Sequence, residues 1–162
     1  MHCREGGAEV ARFRYQEGDW FAVPLGGGGY AVGIIARASR GGVLFGYFFG
    51  PRHSDIPSLT EVNQLRPDGV ILVGKFGHLG LKHGTWPILG RVGQWERSSW
   101  PMPPLVRYEE LSGRSFRAFY DDSDPNRLLR EERIPAEAAE QGPKEGLMGD
   151  AFVELVLTKA LT

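Results

Sequence analysis

The chain has 162 residues, room for one domain with its own core. Its 41% hydrophobic and 24% charged content is that of a folded globular protein, and a net charge of −1 supplies no global field for nucleic acid or an anionic membrane. The only cysteine, Cys3, has no partner for an internal disulfide, so a reducing, cytoplasmic setting is expected.

Residues 1–14 read as a loosely ordered arm without the apolar stretch of a signal peptide. Trp20 to Leu25 reads as the first strand, after the turn Glu17-Gly18-Asp19. Tyr30 to Ala38 is the second and Val43 to Phe49 the third, each β-branched or aromatic and bounded by glycine. Four glycines, Gly26 to Gly29, separate the first two strands. A P-loop would need Lys-Ser/Thr after them, and a dinucleotide loop would need a helix; a strand pattern follows instead, so they read as a turn. The uncharged run Trp20 to Ala36 is 17 residues long and holds Pro24 and five glycines. It is short of the ~20 apolar residues of a membrane-spanning helix, so no span is expected. Both alternating faces of these strands are apolar or small. The fold class expected is mainly β: a strongly bent antiparallel sheet or an SH3-like, partly open barrel, with a short C-terminal helix.

Gly50 to Pro67 reads as a connection, with a helical turn within Leu59 to Leu65. Gly69 to Phe76 and Trp86 to Val92 read as strands, Pro87 lying near the start of the latter or on an edge. His78 and His83 flank an expected turn at Gly80, and Trp95 to Pro104 is irregular. Leu105 to Leu111 and Ser115 to Tyr120 form a hairpin around Ser112-Gly113. Leu128 to Ile134 reads as a charged edge strand, a helix capped at Asp124-Pro125 being the alternative. Asp150 to Leu161 reads as a helix with Asp150 as its cap and Phe152, Leu155, Val156 and Ala160 on its packed face, a strand being the alternative. This makes a single domain over 1–162: the arm, a β core over 15–120, and an acidic segment over 121–162 with a helix at 150–161. The acidity is local, since residues 119–162 carry five Lys+Arg against ten Asp+Glu.

Catalytic and metal signatures are missing. There is no C-x-x-C, H-E-x-x-H or G-x-S-x-G, and His2, His53, His78 and His83 are scattered. The pairs Glu109-Glu110, Asp121-Asp122 and Glu131-Glu132 would point to opposite faces of strands, which suits a solvated surface. Neither catalysis nor a cofactor is expected. Binding features are present instead. Gly84 to Pro104 holds three of the four tryptophans. Trp86 opens an apolar strand and reads as core, whereas Trp95 and Trp100, in polar and proline-broken sequence, are either interface anchors or caps on the sheet. Asp121, Asp122 and Asp124, followed by Glu131 and Glu132, form a candidate surface for a basic partner.

The stretches GDWFAVPL, GGYAVGIIAR, VLFGYFF and GTWPILG, with Gly18, Asp19, Phe21, Pro24, Tyr30, Gly33, Trp86 and Gly90 as the marked positions, resemble the immunity protein 26 family of bacterial polymorphic toxin systems. The resemblance covers about residues 17–92 and leaves the acidic segment uncovered. It implies a small, mainly β cytoplasmic protein that protects its producer by binding and blocking a cognate toxin domain, with no cofactor, catalysis, membrane or direct nucleic-acid contact. Against a nuclease toxin, the acidic stretch would mimic phosphates. Two other classes fit the strand pattern: an SH3- or Tudor-like module reading a peptide or nucleic acid, and a small hydrolase using the carboxylates or histidines. A homodimer would follow if VLFGYFF formed an exposed edge.

Overall fold

The computed structural model describes residues 14–162; the arm expected over 1–14, with His2 and Cys3, lies outside this range except for Arg14. Its strands are β1 (Trp20–Pro24), β2 (Tyr30–Ala38), β3 (Val43–His53), β4 (Leu72–Gly77), β5 (Ile88–Gly90), β6 (Leu105–Glu109), β7 (Arg114–Asp121) and β8 (Asp124–Ile134). Among the described residues three α-helices accompany them: α1 (Leu59–Val62), α2 (Leu79–His83) and α3 (Asp150–Ala160). The strands divide into two antiparallel sheets, one ordered β4-β3-β2-β1-β5 and one ordered β6-β7-β8, and among the described residues no barrel closes. The mainly β expectation and the C-terminal helix both hold.

Alternation along the strands of the large sheet builds two cores, one on each face. In β1, Phe21 and Val23 enter a cluster with Ile35, Phe48, Phe76 and Trp86, while Trp20 enters the other with Ile34, Phe45, Tyr47 and Phe49. α3 closes the first face with Val153 and Leu157. Trp100 and Leu105, leading into the small sheet, close the second. Because both faces are covered, these strands are apolar throughout rather than alternating polar and apolar.

The glycine run behaves as a turn. Leu25 N–H bonds Gly29 C=O at 2.9 Å and closes the β1–β2 hairpin, with Gly27, Gly28 and Gly29 all at positive φ, where a side chain is strained. Other expectations need correction. VLFGYFF is no edge: β3 pairs with β2 on one side and β4 on the other. The turn expected at Gly80 is α2, and the strand expected over 86–92 shortens to Ile88–Gly90, with the Pro87 carbonyl accepting the Ala22 N–H just before it. α3 is capped by Gly149 rather than Asp150, whose carboxylate accepts the Ala151 N–H one residue too late. Its packed face is also different. Phe152 and Leu155 are 53% and 54% exposed, and the buried stripe is Val153 and Leu157, spaced by four.

Candidate functional site

Two of the residues singled out in the sequence, Trp95 and Asp122, meet at one corner of the molecule. The loop after β5 brings Trp95 and the 3-10 turn Arg97–Ser99 over the start of β1. Gly18 makes this approach possible. A Cβ there would lie 2.5 Å from Arg91 Cδ and 2.9 Å from the Trp95 ring. Glu17 is the hub: its Oε1 accepts from Trp95 Nε1 at 3.1 Å and from Arg97 Nε at 2.7 Å. Arg97 reaches on to Asp122, in the β7–β8 turn, donating to Oδ2 at 2.5 Å and also to its backbone carbonyl.

Asp122 carries a second arginine. Arg37, buried in β2, donates to Asp122 Oδ1 at 2.9 Å and to the carbonyls of Ala36 and Trp100 at 2.6 and 2.9 Å. A buried guanidinium needs this full set of partners, because an unpaired charge in the interior is prohibitively costly. Burial alone would raise the Asp122 carboxyl, but the bonds and charges of Arg37 and Arg97 outweigh it and hold the group below its usual range. Glu17 and Asp122 in turn push the Arg97 guanidinium up, the Glu17 bond first, against the opposing effect of burial. The corner therefore ties the small sheet to the large one. Beside it, Trp95, Trp100, Val92, Gln94, Asn63 and Arg66 border a cleft of about 200 Å³.

Trp95 is half-buried, with one edge on the cleft. Trp100 is a correction: only 6% exposed, it packs edge-on against Trp20, Tyr47 and Phe49 and is core, not an accessible anchor. The acidic residues are mostly engaged within the chain. Asp121 pairs with Arg127 at 3.3 Å, Glu131 with Arg107 at 2.8 Å and Glu132 with Arg117 at 3.5 Å. Asp124 accepts its own Asn126 N–H at 2.9 Å. Arg107 also holds Glu109 and Glu145, and Tyr120 donates to Glu145 at 2.5 Å. Of the five acidic residues marked in the sequence, all but Asp124 pair with an arginine. Sequence reasoning missed Glu17, Arg37 and Arg97. Only Arg37 left a signal, as the one charge in the apolar strand YAVGIIARA.

The marked glycine and aromatic positions are structural. Phe21 and Gly33 face each other across β1 and β2, and Trp86 stacks on Phe21 at 5.6 Å while donating Nε1 to Glu154 at 2.8 Å. Asp19 is buried and accepts the Gln16 N–H at 2.9 Å; burial raises its carboxyl, opposed by that bond and by Arg91. Pro24 pairs with Tyr30 at the end of the first hairpin, and Trp20 with Gly90 where β5 joins. Among the described residues, no cluster of three or more His, Cys, Asp or Glu could hold a metal ion, and no helix is long and apolar enough to cross a membrane.

No curated protein and no solved structure matches the chain. The family model described as Immunity protein 26 matches residues 16–117, which takes in the large sheet, the Trp95–Arg97 loop and the start of the small sheet. With well over half its length inside that match, the chain belongs to the immunity protein 26 family.

Proposed function

We propose that this protein binds and blocks the toxin domain of a cognate polymorphic or contact-dependent bacterial toxin, in the cytoplasm of the cell that makes both. The family match over residues 16–117 carries this reading. Inhibition is by occlusion, without catalysis or a cofactor. Tight protein inhibitors rest on a few anchors in a well-packed patch rather than on total area.

The corner around Trp95 and Asp122 is the toxin-facing surface under this reading. Three features support it: a half-buried indole, an adjoining cleft of about 200 Å³, and the acidic turn Asp121–Asp124, in which Asp122 is exposed and Asp121 and Asp124 are partly so. Trp and Arg beside an acidic turn are the residue types enriched at interface hot spots. Asp121, Asp122 and Asp124 suit a toxin with a basic working face, as a nucleic-acid-cleaving domain has. Glu131 and Glu132 lie beyond them on β8 and form the rim.

Co-expression with the toxin domain encoded beside this gene tests the reading. The expected result is survival and recovery of a one-to-one complex. Cell death together with no recoverable complex overturns it. If protection occurs, a Trp95→Ala, Asp124→Asn double variant is expected to weaken the complex at least about tenfold, a loss of ~1.4 kcal/mol. Full protection and unchanged affinity would move the interface elsewhere.

A further inference from the structure

On the side of the molecule built by α3, the chain leaves an apolar groove open. Its walls are Leu72 of β4, Leu147 and Met148 from the segment beside that strand, and Phe152 and Val156 of α3, enclosing about 530 Å³. Leu147 and Phe152 are more than half exposed. One charged residue, Lys144, lines the groove. Its ammonium donates to the Ala139 carbonyl at 3.0 Å and makes no ion pair among the described residues. The groove shares no residue with the Trp95–Asp122 corner. Exposed apolar surface gathered in a concavity, rather than scattered singly, marks a binding site.

The same chain presents a matching projection. Leu111, at the tip of the β6–β7 hairpin, is fully exposed. The tip is held in shape: Gly113 N–H bonds Glu109 C=O at 2.8 Å, Ser112 Oγ donates to the Glu109 carboxylate at 3.2 Å, and Arg114 N–H bonds Ser112 Oγ at 3.2 Å. Glu109 is also occupied by Arg107, whereas its neighbour Glu110 makes no ion pair among the described residues. An apolar knob beside a carboxylate without an ion pair therefore faces solvent, as does an apolar groove beside an ammonium without one.

We propose that the groove receives the hairpin tip of a second copy of this chain. Two chains pair about a two-fold axis, Leu111 of each in the groove of the other and Glu110 of each beside the other's Lys144. The twofold arrangement makes each contact twice and closes the assembly, whereas a single head-to-tail contact would propagate. The apolar contact supplies affinity and the Lys–Glu pair sets orientation.

Sedimentation analysis of the full chain alone, from low micromolar to submillimolar concentration, tests the pairing. A reversible dimer is expected. Leu111→Asp touches nothing in the fold and is expected to weaken the dimer at least about tenfold. Phe152→Asp is expected to do the same from the groove side. Lys144→Glu is expected to weaken it, and Glu110→Lys added to that variant to restore it. A monomer at every concentration overturns the proposal. So does a dimer that Leu111→Asp leaves unchanged, a charge exchange that fails to restore, or growth beyond the dimer. No toxin is present, so the outcome leaves the immunity reading untouched.

Discussion

Gly33 shows how a small residue is dictated by large ones. Facing Phe21 across the hairpin, it leaves room for two rings. A Cβ would lie 2.6 Å from Phe21 Cζ and 3.0 Å from Phe48 Cδ2. Both rings are fully buried and cannot swing away. Gly33→Ala is therefore expected to cost about 1–3 kcal/mol as an overpacked core, read by denaturant unfolding; an unchanged midpoint would show that the rings give way freely. Asp122 makes a pH-dependent prediction. Burial works against its ionisation, but Arg37 and Arg97 prevail, so its folded pKa lies below the unfolded one. A group of this kind stabilises the fold above its unfolded pKa, about 3.9, and loses that contribution as pH falls through the folded value. The stability gap between wild type and Asp122→Asn should thus be open at neutral pH and narrow below about pH 4. The carboxylate is 55% exposed, so solvent screening keeps the gap small. Asp19 has the opposite sign: burial raises its carboxyl, so its contribution diminishes as pH rises through its folded pKa. A gap that widens on acidification would contradict the pairing of Asp122 with the arginines.

Among the elements, the strands were the most legible in the sequence, because aromatic and β-branched runs between glycines have few other uses. The hairpin around Ser112-Gly113 was legible as well, whereas the charged strand ending at Ile134 left a helix open as the alternative, because LLREERI has no such pattern. α2 was not, since His78-Leu79-Gly80-Leu81-Lys82-His83 is too short to show a period. Gly80 is there to admit the Trp86 ring, whose nearest atoms would be 2.6 Å from an added Cβ. α3 was legible as a helix but not in its orientation. Phe152, Val153, Leu155, Val156 and Leu157 spread apolar groups over more than half of its circumference, so spacing alone does not single out the buried stripe. Packing selects Val153 and Leu157, which join the cluster of Phe21 and Trp86. Leu157→Ala is accordingly expected to cost about 2–5 kcal/mol in thermal or denaturant unfolding. Leu155→Ala, on the solvent side, should stay within about 0.5 kcal/mol. Equal losses at the two positions would mean the helix packs with another face.

For the whole molecule, the joints between parts were the hardest to read from sequence. Trp95 and the acidic turn stood out by composition, yet what joins them comes from far along the chain: Arg97 lies 25 residues from Asp122, and Arg37 lies 85 residues from it. No local pattern encodes such a pairing. The same long reach decides how much chain the fold needs. The family match ends at Arg117, inside β7, whose remaining residues and whole partner strand β8 lie beyond it. Also beyond it are Met148, which exchanges backbone bonds with Lys75 and Gly77 along the β4 edge, and α3, which covers Phe21 and Trp86. A fragment of residues 14–117 would expose that core, leave Trp86 Nε1 without Glu154, and leave Arg37 buried without Asp122. An uncovered apolar face and an unpaired interior charge are each costly on the scale of a domain's total stability, about 5–15 kcal/mol. The fragment is expected to show no cooperative unfolding transition and to bind a hydrophobic dye, while the full chain unfolds cooperatively. A sharp transition in the fragment would mean that the family-matched region folds on its own and that β8 and α3 are additions to a finished core.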